Sequence, residues 1–292
     1  AETLKEAVIV ADDGPAITLI KKVLKRRQYH NILNLDYYQC RIYTRNTIGF
    51  DTNQDSVEIK QMNQVFRYPT SLFISESIID RQYEKREKVY EKIIASDMSG
   101  LRDAEFTILP EDVQSLNFYK DYIPIFNKDY INPISPLSWL KYHFNLDKVY
   151  TEGSDTLYKI DYWPRNVGFN CFKGMIIISD NDWAVQKITM MNSSVDLYPF
   201  VLYQEYKRTK NRWFPYKFIT EVKFPSAFGK DYPFEMKQTN IFDDIDFQRL
   251  PLNAGKVNKA EYMEGQRFHL DSLRMMPLDR RDSTAYVFGD FL

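Results

Sequence analysis

Phe172–Met190, FKGMIIISDNDWAVQKITM, contains an apolar run, a polar four-residue corner (SDND) and a second apolar-rich run. Two short runs joined by such a corner read as consecutive strands of a hairpin. Alternation places Phe172, Gly174, Ile176 and Ile178 on one face of the first strand and Lys173, Met175, Ile177 and Ser179 on the other. The middle of the strand is therefore apolar on both sides, whereas a strand with one wet face alternates cleanly. Two readings follow. Either protein covers both faces, or the sheet curves around an apolar cavity that receives a lipid, an acyl chain or a hydrophobic peptide. Gly174 fits a bend, or leaves room for Trp183 or Tyr162. Asp180, Asn181 and Asp182 accept turn geometry through local side-chain hydrogen bonds, and no nearby histidine, partner acid or glycine spacing makes them a metal site.

Outward from this hairpin the same pattern repeats. TLYKIDYWP precedes it, and FVLYQEYKR, RWFPYKFITEVKF and EMKQTNIFDDIDF follow, separated by short polar corners. Such a series predicts an antiparallel meander. Further upstream, DYYQCRIYTRNTIGF alternates as a strand, and SLFISESIIDRQY with KVYEKIIASDMSG reads as a strand pair around the charged turn at residues 84–87. Tyr and Phe, 21 and 20 residues, fit pleated, half-buried surfaces and agree with a β-rich chain.

Two segments read as helical. Asp12-Asp13-Gly14-Pro15 opens an amphipathic helix in which Ala16, Ile17, Ile20, Val23 and Leu24 share a face, while Lys21, Lys22, Lys25, Arg26 and Arg27 fall mostly on the other. A short helical insert is expected near residues 110–144, with Ser135 capping a turn that starts at Pro136. The expected fold is α+β: a curved antiparallel sheet, a half-barrel-like meander, with an N-terminal helix and that insert. Leu4–Val10 reads as a short strand, 12–249 as one domain, and 250–292 as an irregular linker.

The 292 residues carry 39 basic and 40 acidic side chains. A net charge of −1 argues against a nucleic-acid partner, since duplex binders show a basic excess. The longest purely apolar run, Met175–Ile178, is far shorter than the ~20 residues of a membrane-spanning helix. Cys40 and Cys171 match no metal or redox spacing and read as small strand hydrophobes.

Motifs for catalysis are lacking in the sequence. His30, His143 and His269 belong to neither HExxH nor HxxE, and GxSxG, the P-loop and GxGxxG do not occur. Asp243, Asp244 and Asp246 lack the spacing of a calcium loop and read as a solvent-facing strand end. Glu76 and Asp80 have no neighbouring base or nucleophile in sequence, and Arg208, Lys210 and Arg212 read as a basic hairpin tip. No cofactor or metal is implied.

The order LKEAVIV, DGPAITLIKKVLKRR, SLFISESIIDRQY, IIASDMSGL, INPISPLSWLKYHF, YKIDYWP and FKGMIIISDNDWAVQKI, spanning about residues 4–190, resembles the middle region of a Bacteroidota outer-membrane family of unknown function. Its members carry a carboxypeptidase-regulatory-like domain in front and an outer-membrane β-barrel behind. The tail RFHLDSLRMMPLDRRDSTAYVFGDFL resembles the approach to that barrel. The resemblance implies that residues 1–11 are the exit strand of a preceding domain or a linker and that the rest is a periplasmic module attached to a C-terminal barrel, and it carries no catalytic residues. The helix followed by a meander is also similar to the lipoprotein-carrier fold, a half-barrel closed by helices around an acyl-chain cavity. The expected function is non-enzymatic: binding or handing on an apolar ligand or a client polypeptide. Met175, Ile177, Trp183, Ile188 and Met190 are the candidate cavity residues. A structural spacer at the periplasmic mouth of a barrel is the alternative, with a hydrolase third.

Overall fold

The computed structural model describes residues 14–50, 73–85, 88–100, 117–126, 128–166, 168–192, 198–224 and 234–249. The expected exit strand within 1–11, the linker 250–292, the helix start after Pro110, and His269 lie outside the described residues.

Helix α1, Gly14–His30, comes first. Ala16, Leu19, Ile20 and Val23 recur at helical spacing and are buried, which defines the face that docks. Lys21, Lys25 and Arg26 are exposed on the opposite side. Arg27 departs from the expected basic face and turns inward. Its guanidinium donates to the Tyr119 carbonyl (2.7 Å) and pairs with Asp121 (2.5 Å), which compensates its desolvation.

The strands are β1 Tyr37–Phe50, β2 Phe73–Glu84, β3 Lys88–Gly100, β4 Tyr122–Ile125, β5 Lys128–Ile131, β6 Tyr142–Glu152, β7 Asp155–Pro164, β8 Lys173–Ser179, β9 Ala184–Met191, β10 Phe200–Thr209, β11 Arg212–Phe224 and β12 Phe234–Asp246. Ten of them form one open antiparallel sheet in the order β3-β2-β1-β12-β11-β10-β9-β8-β7-β6. From β6 to β12 each strand pairs with the next, so the expected meander is present. The N-terminal strand β1 then pairs with β12, inserting the β1–β3 arm beside the last strand rather than beside β6.

The tips of the meander follow from local chemistry. At the β10–β11 corner Lys210 and Asn211 both take positive φ (48° and 66°), the two left-handed residues of a type I′ turn. At the β8–β9 corner Asp182 and Trp183 do so (64° and 53°), while Asp180 reaches β7: its carboxylate accepts the Thr156 N–H at 2.9 Å. This bond holds the Asp180 carboxyl below the ordinary carboxylate range.

The insert differs from expectation. Its described part is a two-stranded hairpin, β4–β5, and a single 3-10 turn at Ser138–Leu140, and β6 starts at Tyr142. Pro136 starts a turn, but the chain returns to the sheet because Tyr142 and Phe144 alternate inward and are fully buried. The Tyr142 hydroxyl donates to the Ile131 carbonyl and accepts the Phe172 N–H (3.0 Å), tying hairpin, β6 and β8 together.

Candidate functional site

Cross-strand register separates the two faces of the sheet. Ile176 pairs with Ile188 and Ile160, and Gly174 with Met190 and Tyr162, so these residues line the concave face. Leu202, Tyr206, Phe200 and Phe218 continue it across β10 and β11. Over this surface lie α1 and residues 117–126 and 128–135. Tyr119 is buried against Tyr206 (ring centroids 5.7 Å) and His30 (6.0 Å), and its hydroxyl accepts the Val185 N–H. Tyr130 stacks on Phe172 at 4.8 Å and meets Phe200 edge-on at 5.5 Å. Ile123, Ile125 and Ile134 fill the remainder.

The cover is held by polar ties at its margins. Asn132, fully buried, donates to the Phe118 and Lys120 carbonyls and accepts the Ile134 N–H (2.9 Å). His30 Nε2 lies 2.9 Å from the Asp182 carbonyl, joining the end of α1 to the β8–β9 corner. Burial lowers the His30 pKa and outweighs that hydrogen bond, so the folded chain favours the neutral ring. Beside it, Tyr29, His30, Asn31, Ile32, Leu35, Arg212 and Trp213 line a recess with room for about one water molecule.

Gly174 is explained by close approach. A Cβ there would stand 2.0 Å from the Thr189 carbonyl oxygen and 3.2 Å from the Tyr162 hydroxyl. That hydroxyl donates to the same Thr189 carbonyl at 2.8 Å.

The five candidate cavity residues do not share a surface. Ile188 and Met190 lie on the concave face, fully buried, and Trp183 packs at its margin under Lys22, whose ammonium sits 3.8 Å from the ring centroid. Met175 and Ile177 project from the opposite face, in register with Asp161 and Lys187. Residues of odd and even phase cannot meet across one strand.

Sequence reasoning missed a second feature of the concave face. Across β10, β11, β12, β1 and β2 it carries Gln204, Thr220, Gln238, Asn240, Thr44, Asn46, Ser75 and Ser77 in adjoining register. These form a neutral polar belt between the main core and a smaller apolar cluster of Tyr38, Cys40, Ile42, Tyr83 and Phe214. Thr44 donates to Asn240 (2.8 Å), Asn46 to Ser75 (3.1 Å) and Asn240 to Gln238 (3.3 Å). Three atoms of the belt, Asn46 Oδ1, Gln204 Oε1 and Thr220 Oγ1, are buried and have no hydrogen-bond partner among the described residues. In sequence both phases of these strands are polar, as in Lys237-Gln238-Thr239-Asn240, so alternation does not mark the inward one.

The remaining candidates resolve into structural roles. Glu76 is buried on the convex face, accepts the Tyr43 hydroxyl (2.7 Å) and lies 3.6 Å from Arg45. Asp80 pairs with Arg41 at 2.8 Å, and Asp246 with Lys210 at 2.9 Å. His143 stacks on Trp163. Cys40 and Cys171 are buried thiols, their pKa values raised by burial, that of Cys40 to about 12. Among the described residues no group of three or more His, Cys, Asp or Glu is placed to hold a metal ion, and no helix is long and apolar enough to cross a membrane.

Comparison with solved structures finds loose likenesses over most of the chain. A LolA superfamily protein from Nitrosomonas europaea is 10% identical, with a TM-score of 0.30, covering 80% of this chain and 94% of its own. An outer membrane lipoprotein-sorting protein domain from Vibrio parahaemolyticus is 11% identical, with a TM-score of 0.33, covering 82% and 96%. The Pseudomonas aeruginosa MucA/MucB complex matches at 8% identity and a TM-score of 0.22, covering 81% and 100%. At these scores the sheets superpose poorly, and the fold rests on the chain's own strand pairing. No curated protein sequence matches. A family profile does match, over residues 19–241: the chain belongs to the family of unknown function DUF5686.

Proposed function

We propose that this member of the family is a non-enzymatic module at the periplasmic face of the outer membrane, part of a longer barrel-bearing protein, and that it binds or hands on an amphiphilic guest: a lipid, an acylated chain or a client polypeptide. The observation that carries the reading is the polar belt with its three orphaned atoms, set between two apolar surfaces. A buried amide oxygen or hydroxyl left unpaired costs about 1–3 kcal/mol, a cost that a purely structural sheet avoids by placing Val or Leu there. A guest that donates hydrogen bonds to Gln204 and Asn46 while laying apolar atoms against Ile42, Ile48 and Met236 satisfies both kinds of surface.

The test is uptake of a dansylated fatty acid by the full chain, followed by fluorescence. Saturable uptake is expected, weakened roughly tenfold by the pair Thr220→Val and Gln204→Leu, the equivalent of one lost hydrogen bond. Uptake that the pair leaves unchanged removes the belt from the reading.

The spacer reading is favoured by one observation: Tyr119, Ile123 and Ile125 fill the apolar part of the concave face with the chain's own atoms. Absence of uptake in the unaltered chain would decide for it.

A further inference from the structure

The end of the β6–β7 pair breaks two local rules at once. Leu137 is 57% exposed and takes φ +60°, a left-handed conformation that suits Gly or Asn and strains a leucine. It also stands at the N-cap of the 3-10 turn Ser138–Leu140 and makes no side-chain cap bond there, where Ser, Asp or Asn would. Neither stability nor solubility accounts for an apolar side chain at this position. Strain of this kind clusters where a side chain is held out for use.

Leu137 is not alone. Leu140, 60% exposed, closes the same turn through its N–H to the Leu137 carbonyl (3.0 Å). Trp163, 40% exposed, stands on β7 opposite His143, on which it stacks, two residues before Arg165. Arg165 binds the two stretches together: its N–H donates to the Lys141 carbonyl (2.8 Å) and its Nε to the Trp139 carbonyl (2.9 Å). Basic side chains rim the tip. Arg165 and Lys21 are exposed, the latter with its ammonium 4.8 Å from the Trp139 ring, and Lys141 lies over Phe169 at 4.0 Å.

Exposed leucines and a tryptophan ringed by long cationic side chains form the surface that enters a lipid interface. The apolar groups insert below the headgroups, the indole sits at their level, and the cations meet lipid phosphates. We infer that the tip formed by Leu137, Leu140 and Trp163, with Lys21 and Lys141, is a docking surface for an anionic lipid leaflet. A protein partner of this tip would need acidic complementarity, and a second copy would bring like charges together. The assignment concerns the outer surface at one end of the sheet and stands apart from the polar belt.

The test is co-sedimentation of the full chain with vesicles of phosphatidylethanolamine and phosphatidylglycerol, against vesicles of phosphatidylcholine alone. Binding to the anionic vesicles, weakened by salt, is expected, with a blue shift of tryptophan emission that Trp163→Tyr reduces. Leu137→Asn with Leu140→Gln should lower partitioning roughly tenfold, about two lost leucine insertions. Asn accepts the left-handed backbone, so Leu137→Asn alone should keep or raise the melting temperature while it weakens binding, which separates lost contact from lost folding. The inference is overturned if the chain ignores anionic vesicles, if binding does not depend on lipid charge, or if the folded double variant binds as before. It is equally overturned if the chain self-associates without lipid and the double variant dissociates it.

Discussion

From β6 to β9 the concave face is Phe144, Tyr162, Ile176, Ile188 and Met190, and the chain covers it with α1 and Tyr119. From β11 through β12 to β2 the same face carries Thr220, Gln238, Asn240, Thr44 and Ser77. The first region is held by dispersion and apolar burial, which are non-directional and tolerate any well-packed filler. The second depends on hydrogen bonds, which are directional and costly when unmade. One sheet thus carries a region whose sequence is explained by stability and another whose sequence is not.

The largest effect should come from opening the apolar region. Tyr119→Ala removes a fully buried ring that touches α1, β9 and β10 and should destabilise by about 4 kcal/mol in urea titration. A cost under about 1 kcal/mol would show that the cover is dispensable to the fold. Gly174→Ala probes the same region by overpacking. The added methyl meets backbone at Thr189 rather than a flexible side chain, so a loss of about 3 kcal/mol is expected, together with a shifted near-UV signal from Tyr162.

The polar region should respond with the opposite sign. Thr220→Val replaces an orphaned hydroxyl by a methyl and should stabilise by about 1 kcal/mol, visible as a higher urea midpoint. Destabilisation would mean that the hydroxyl already has a partner in solution, and the contrast between the regions would collapse.

The smallest effect concerns pH at the margin of the cover. Since burial depresses the folded pKa of His30 below 6.5, the unfolded chain takes up a proton that the folded chain refuses. The stability from this residue is full above about pH 6.5 and is lost as pH falls from there towards the folded pKa. His30→Gln should flatten that part of a melting-temperature profile between about pH 7 and 5. An unchanged slope would assign the acid sensitivity elsewhere.

Much of the meander was legible because its signals are local. Strands β7 to β12 begin and end where alternation and corner residues place them, and Asp182 and Lys210-Asn211 occupy the turns that such residues favour. The insert was less legible. Ser135-Pro136 does start a turn, but whether it propagates is decided by burial of Tyr142 and Phe144 in the sheet, not by the cap. For the candidate cavity residues, the sequence mixed the two faces of β8 and β9. Ile177 is as apolar as Ile176, and only pairing with Ile188 tells which of them points inward.

By itself the sequence determined strands β7 to β12 and their order, the amphipathic helix and the turns, since backbone sterics and side-chain period act over a few residues. Tertiary structure alone decided that β1 lies beside β12, where Thr44 bonds Asn240 across 196 residues of chain. It also decided that Arg27 turns inward, and that a row of amides and hydroxyls on five strands becomes one belt, buried at Gln204, Thr220, Gln238, Asn240 and Ser77. Those outcomes depend on which surfaces exclude water together, and that is a property of the assembled chain rather than of any stretch within it.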